Sequence, residues 1–145
     1  MKKICIATYE IEKIHKNGGI ATAYKHMADA LVREGHDVTI FVTSNMNLSR
    51  EKLKEAVALF KKDNIKLIFP KEMVYNVASV FETYCSYQAY RTFETLKDMD
   101  FDIIHFPDSS GDAYFAVHAK KAGLYFQNTT IIVGAHGSSE WVRES

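Results

Sequence analysis

Cysteine is scarce in this chain. Only Cys5 and Cys85 occur in 145 residues, and neither stands at metal-ligand or redox-motif spacing. A disulfide scaffold, a structural zinc module and a thiol–disulfide enzyme are thereby excluded. Both thiols are expected to be buried in a reducing compartment, Cys5 in a strand and Cys85 in an aromatic-rich helix. No two histidines have H-x-x-x-H spacing on one helix, so we expect neither a metal site nor a bound cofactor. Long apolar runs are missing too. None approaches the roughly 20 residues of a membrane span, and Lys2-Lys3 precedes too short an apolar stretch for a signal peptide. The chain therefore reads as soluble and cytoplasmic, with membrane association left open. An excess of one charge is also lacking: eighteen basic residues balance eighteen acidic ones, which argues against a nucleic-acid partner. No G-x-G-x-x-G fingerprint and no G-x-S-x-G elbow is present, which removes the standard dinucleotide and hydrolase readings.

What remains is ordinary globular composition, 47% hydrophobic and 25% charged, at a length typical of one domain. Residues 3–9 (KICIATY) read as a buried strand. A polar loop from Glu10 to Asn17 follows, and Gly18-Gly19 leads into an amphipathic run from Ile20 to Glu34. Ile20, Tyr24, Met27, Ala28, Leu31 and Val32 share one face of that run at helical spacing. Lys25, Asp29, Arg33 and Glu34 fall on the other. Gly35 is placed to end the helix in the left-handed conformation.

Four more strand-like runs follow: residues 37–43, 65–69, 102–106 and 130–134. Helical stretches separate them, one capped by Ser49, one from about Asn76 to Met99, and one from about Ala113 to Lys121. Phe81, Tyr84, Tyr87, Tyr90 and Phe93 recur every three residues. At 3.6 residues per turn such a series drifts around the helix, so more than one face is covered. Core packing is the plainer reading, and lining an acceptor cleft the functional one. Alternating strands and helices specify a three-layer, doubly wound Rossmann-like α/β domain. We expect a parallel sheet in the order 3-2-1-4-5 spanning residues 1–145 as a single domain.

Ligands of such sheets sit outside the carboxyl ends of the strands. That rule selects three loops: Glu10 to Gly19, Pro107 to Asp112, and Ala135 to Glu140. Gly18 and Gly19 would let a ligand approach the backbone, with positive φ at Gly18, and the helix behind them favours an anion such as phosphate. A tight turn alone would also explain the pair. Asp108 and Ser109 suit sugar hydroxyls. His136 and Gly137 follow the fifth strand, where an imidazole can donate or accept. His105, inside the fourth strand, reads as a satisfied core or rim residue. His15, His26, His36 and His118 read as surface residues.

Taken together, several blocks resemble the N-terminal domain of the family-4 (group 1) retaining glycosyltransferases. They are Asn17-Gly18-Gly19-Ile20-Ala21, the helix end from Ala28 to His36, and the strand Asp37 to Ile40. Phe101 to Asp108 and Ile132 to Gly137 fit the same domain. The resemblance implies a GT-B architecture, two Rossmann-like domains facing across a cleft. It implies transfer of a sugar from a nucleotide-sugar donor to a sugar or glycan acceptor, with retention and usually without metal. Gly18-Gly19 would then approach the donor, His136 would hydrogen-bond the transferred sugar, and this domain would bind the acceptor. The family's C-terminal domain, with basic residues for the diphosphate and paired glutamates seven apart, is not in this sequence. We therefore expect the chain to be one half of an enzyme and inert alone. A stand-alone nucleotide- or phosphate-binding module is the alternative. A flavodoxin-like interaction domain fits less well, because the first loop has no acidic cluster and no Ser/Thr-rich phosphate loop.

Overall fold

The computed structural model describes residues 1–12, 14, 18–43, 48–72, 81 and 83–136. Five strands form one parallel sheet: β1 (Lys3–Thr8), β2 (Asp37–Val42), β3 (Ile65–Ile68), β4 (Ile103–Pro107) and β5 (Thr130–Gly134). Their order is β3-β2-β1-β4-β5, all pairs parallel. The helices are α1 (Gly19–Arg33), α2 (Arg50–Lys62), α3 (Tyr84–Leu96) and α4 (Tyr114–Lys121), with a 3-10 turn at Ser109–Gly111. The chain is thus the Rossmann-like α/β sheet that the alternation of runs specifies.

The sheet has two buried faces because its central strands read as unbroken apolar runs. Ile6, Val38, Ile40, Val42, Ile65 and Leu67 point to one face. There they meet Tyr24 and Ala28 of α1 and Ala56 and Phe60 of α2. Cys5, Ala7, Phe41, Ile104 and Phe106 point to the other, against Leu96 of α3 and Ala116 of α4. Alternation along each strand assigns these residues to opposite faces.

The caps follow local chemistry. Ser49 Oγ accepts from the Lys52 amide at 3.3 Å, as a serine N-cap should. Gly35 adopts φ +81. Its amide donates to the Val32 carbonyl and that of His36 to the Leu31 carbonyl, closing α1 in the paired geometry of a left-handed C-terminus.

Three expectations need correction. The third helix does not run through from about Asn76: Thr83 is extended and its Oγ1 caps α3 by accepting from the Ser86 amide at 3.1 Å. Residues 76–80 lie outside the described residues. Lys25 does not sit on a solvated face but is only 5% exposed. Its ammonium pairs with Asp29 one turn on and with Asp63 at the end of α2, 3.2 Å away, and lies over the Phe60 ring, 5.7 Å from its centroid. Burial pulls this lysine's pKa down, but the two carboxylates overcome it and raise it above the ordinary value. A long stem with two anions at its tip can be buried where an unpaired one cannot. The pair clips α1 to α2.

Cys85 is the third. It is exposed in the first turn of α3, whereas Cys5 is buried in β1. Burial alone pushes the Cys5 thiol far above its usual range. Iodoacetamide should therefore modify one thiol per native chain, at Cys85, and reach Cys5 only after unfolding. Mass spectrometry of the intact protein checks this; rapid double modification of the native chain would contradict the buried β1.

The drifting aromatics of α3 cover two directions, as the period of three requires. The buried residues of α3 are Gln88, Ala89, Thr92, Thr95 and Leu96, of which Leu96 joins the core under the sheet with Phe93 packed against it. The rings also meet one another and the neighbouring helix. Tyr90 meets Phe115 of α4 at 5.6 Å and Phe81 at 5.3 Å, and Phe93 meets Tyr125 at 5.5 Å. Edge and tilted contacts of this kind join the two helices into one layer.

Candidate functional site

In the order β3-β2-β1-β4-β5 the chain direction of winding reverses between β1 and β4, so the loops after these strands diverge and leave a crevice. The residues bordering it come from β1, α1, β4 and β5. The β4 and β5 ends are clamped together by backbone bonds. The Asp108 amide donates to the Gly134 carbonyl at 3.0 Å, and the His136 amide donates to Asp108 Oδ1 at 3.1 Å. Asp108 and His136, both selected from sequence, are thus directly bonded.

The imidazole of His136 is held from a second direction. Tyr24, wholly buried on α1, places its Oη 2.9 Å from His136 Nε2, with the rings edge-on at 5.1 Å. Tyr24 also meets His105 edge-on at 5.3 Å, and the two imidazoles lie 6.4 Å apart. Gly134 lies beneath the two imidazoles. A Cβ there would stand 2.9 Å from the His105 ring and 3.2 Å from His136 Nε2. Only glycine leaves both imidazoles where they are, and this is a requirement of space rather than of backbone conformation.

Burial dominates the electrostatics of Tyr24 and His105. Burial raises the Tyr24 phenol well above its usual range, and the nearby Asp108 charge adds to the effect. Burial lowers the His105 imidazole, and the neighbouring His136 lowers it further. Tyr9, half-buried after β1, is raised by burial and by the charges of Glu10 and Asp112. A hydrogen bond to the Ser109 side chain acts on Tyr9 in the opposite sense, and His105 Nδ1 is buried without a hydrogen-bond partner among the described residues. A satisfied histidine at 105 is therefore not what the structure holds. Its ring packs against the site instead, because β4 residue 105 faces α1 exactly where Tyr24 projects from it.

The glycine pair differs from expectation. Gly18 is extended, with φ −100 and ψ 168, and carries no side-chain cap. Positive φ is not needed there, so glycine is required only for space. Its nearest neighbour is the Glu10 carboxylate, which crowds the point a Cβ would occupy, while Gly19 faces open space. Among the described residues the first turn of α1 has no side-chain cap and no acidic residue of its own, and the Glu10 carboxylate lies beside its N-cap. Asp108 and Ser109 begin the β4 loop, which turns at Ser110 (φ +64) and Gly111 (φ +69). Gly137, also selected from sequence, lies outside the described residues, as does His15. His26 and His118 are exposed. His36 is half-exposed and accepts from the Lys2 amide through Nδ1.

Two residues bordering the site escape a sequence reading. Tyr24 sits at helical spacing among apolar residues and reads as core. Its signal is chemical: a buried phenol needs a hydrogen-bond partner, and none is local in α1. Asp112, only 1% exposed, is held by Thr43 Oγ1 donating to its Oδ2 at 3.1 Å. Burial raises its pKa to about 6, with the Thr43 bond acting in the opposite sense. This contact ties the end of β2 to the loop that carries Asp108. Beside the same loop, a cavity of about 200 Å³ is lined by Cys85, Ser86, Ala89, Ser110, Gly111, Tyr114 and Phe115. Among the described residues, no three His, Cys, Asp or Glu side chains gather as a metal set. No helix among them is long and apolar enough to cross a membrane.

Sheet order, switch-point crevice and loop-borne polar groups define an α/β domain of the ligand-binding, doubly wound class. The family model for Glycosyltransferase Family 4 matches residues 17–144, so the chain belongs to glycosyltransferase family 4. No curated protein matches it.

Proposed function

We propose that this chain is the N-terminal, acceptor-side domain of a cytoplasmic GT-B enzyme. That enzyme moves a sugar from a nucleotide-sugar donor to a sugar or glycan acceptor, with retention and without a bound metal. The observation that supports this best is the meeting of His136, Asp108 and Tyr24 in the crevice between β1 and β4. An imidazole held at its backbone and its ring can direct one hydrogen bond at a sugar hydroxyl. Preorganised donors of this kind are worth most where charge develops during transfer. Asp108 and Ser109 would add polar contacts, and Gly18, Gly19 and Gly137 would let the donor approach the backbone.

The donor's nucleotide and diphosphate fall to a second domain in this reading, and the isolated chain is inert. One wall of a cleft captures few of the contacts, while the ligand still loses its freedom on binding. Titration calorimetry with common nucleotide-sugars tests this. The full-length protein should bind one of them and the 145-residue chain none measurably. Micromolar binding to the chain alone would contradict the two-domain reading and favour a stand-alone nucleotide-binding module.

A further inference from the structure

We propose that Tyr24 is a positioning residue: its phenol O–H donates to His136 Nε2 and fixes the Nδ1–H tautomer, leaving Nδ1–H as the ring donor offered to a ligand. The direction of this bond follows from accounting for one proton. Tyr24 is wholly buried, and the only hydrogen-bond partner of its hydroxyl among the described residues is His136 Nε2, 2.9 Å away. Burial and the Asp108 charge keep the phenol protonated. If the imidazole donated instead, the phenol proton would be buried without an acceptor, at the cost of a lost hydrogen bond. The neutral imidazole must then carry its proton on Nδ1, because the bond at one ring nitrogen decides the state of the other.

The remaining contacts make this a fixture rather than one rotamer among several. The His136 amide is tied to Asp108 Oδ1. His105 abuts Tyr24 edge-on, and the absent Cβ of Gly134 leaves just enough room for both imidazoles. His136 Nε2 is thus engaged inside the protein, and Nδ1 has no partner among the described residues. A group so presented donates to an oxygen; it does not accept a proton from one. The functional half of this inference rests on His136 meeting the sugar, whereas the tautomer does not.

Long-range proton–nitrogen NMR on the ¹⁵N-labelled chain reads the tautomer directly. The native chain should show His136 as the Nδ1–H form, and Tyr24→Phe, with its amide spectrum otherwise conserved, should return it to the Nε2–H form that a free imidazole prefers. In the full-length enzyme the same substitution should lower kcat about tenfold with KM nearly unchanged, the loss expected of one directed hydrogen bond. An Nε2–H form in the native chain, or the same tautomer with and without the phenol, would overturn the proposal. A tautomer switch with undiminished kcat, in an enzyme that His136→Ala disables, would overturn the positioning role. Full activity of His136→Ala would instead overturn the functional reading of His136 and leave the tautomer result standing.

Discussion

In the full-length enzyme, His136→Ala should lower kcat/KM by at least tenfold, with a loss of thermal stability no larger than that of the one hydrogen bond it takes from Tyr24. The side chain is exposed at the mouth of the crevice, so its removal uncovers little apolar surface. What is lost is a directed hydrogen bond, typically about 1–3 kcal/mol, or roughly 5- to 150-fold in rate if the bond strengthens in the transition state. His105→Ala provides the contrast. Its ring is half-buried in the sheet between Tyr24 and Gly134, and its Nδ1 has no partner among the described residues. Truncation there leaves a void beside Tyr24 and should lower thermal stability. Some activity should go with it, because Tyr24 loses the ring that abuts it. Kinetics and thermal melts of the two variants separate the roles. Small, equal activity losses from both would remove His136 from the site.

Asp112→Asn should make the chain more stable than wild type above pH 7, by about 2–3 kcal/mol. Asp112 is buried, and no cation pairs with it among the described residues; its raised pKa, about 6, comes from that burial. In the unfolded chain an aspartate releases its proton near pH 4. Between those values the folded state holds a proton that the unfolded state has given up. Stability is therefore fully present below about pH 4 and is lost as pH rises through about 6. A gap of roughly two pKa units corresponds to about 3 kcal/mol. Asparagine keeps an oxygen for Thr43 and has no charge to bury, so the difference between the proteins should grow from pH 4 to pH 7. Urea unfolding across that range measures it. A variant less stable than wild type at pH 8 would mean that the carboxylate is stabilised where it lies.

The contrast between these residues shows what the sequence could convey. Strand order was legible because five short apolar runs separated by helices leave few topologies, although only β1 and β2 are buried nearly throughout and β5 is not. His136 and Asp108 were legible because the ligand end of a parallel sheet is fixed by its direction. Tyr24 was not, since its position in the helical repeat is that of a core residue and its partner lies 112 residues away. Lys25 was misplaced for a related reason. Helical periodicity assigns it to the polar face, but the carboxylates of Asp29 and Asp63 allow its burial. At Gly18 the pairing with Gly19 suggested a special backbone conformation, whereas the structure uses only the absence of a side chain beside Glu10. Close approach and positive φ look alike in a sequence.

We propose that this domain helps to move a sugar with retention. The proposal is tested most directly by proton NMR of the product formed by the full-length enzyme from an α-linked nucleotide-sugar. The account predicts a new glycosidic linkage whose anomeric signal is also α, and its loss in His136→Ala. A β-linked product, or no transfer from any donor by the full-length protein, would contradict it.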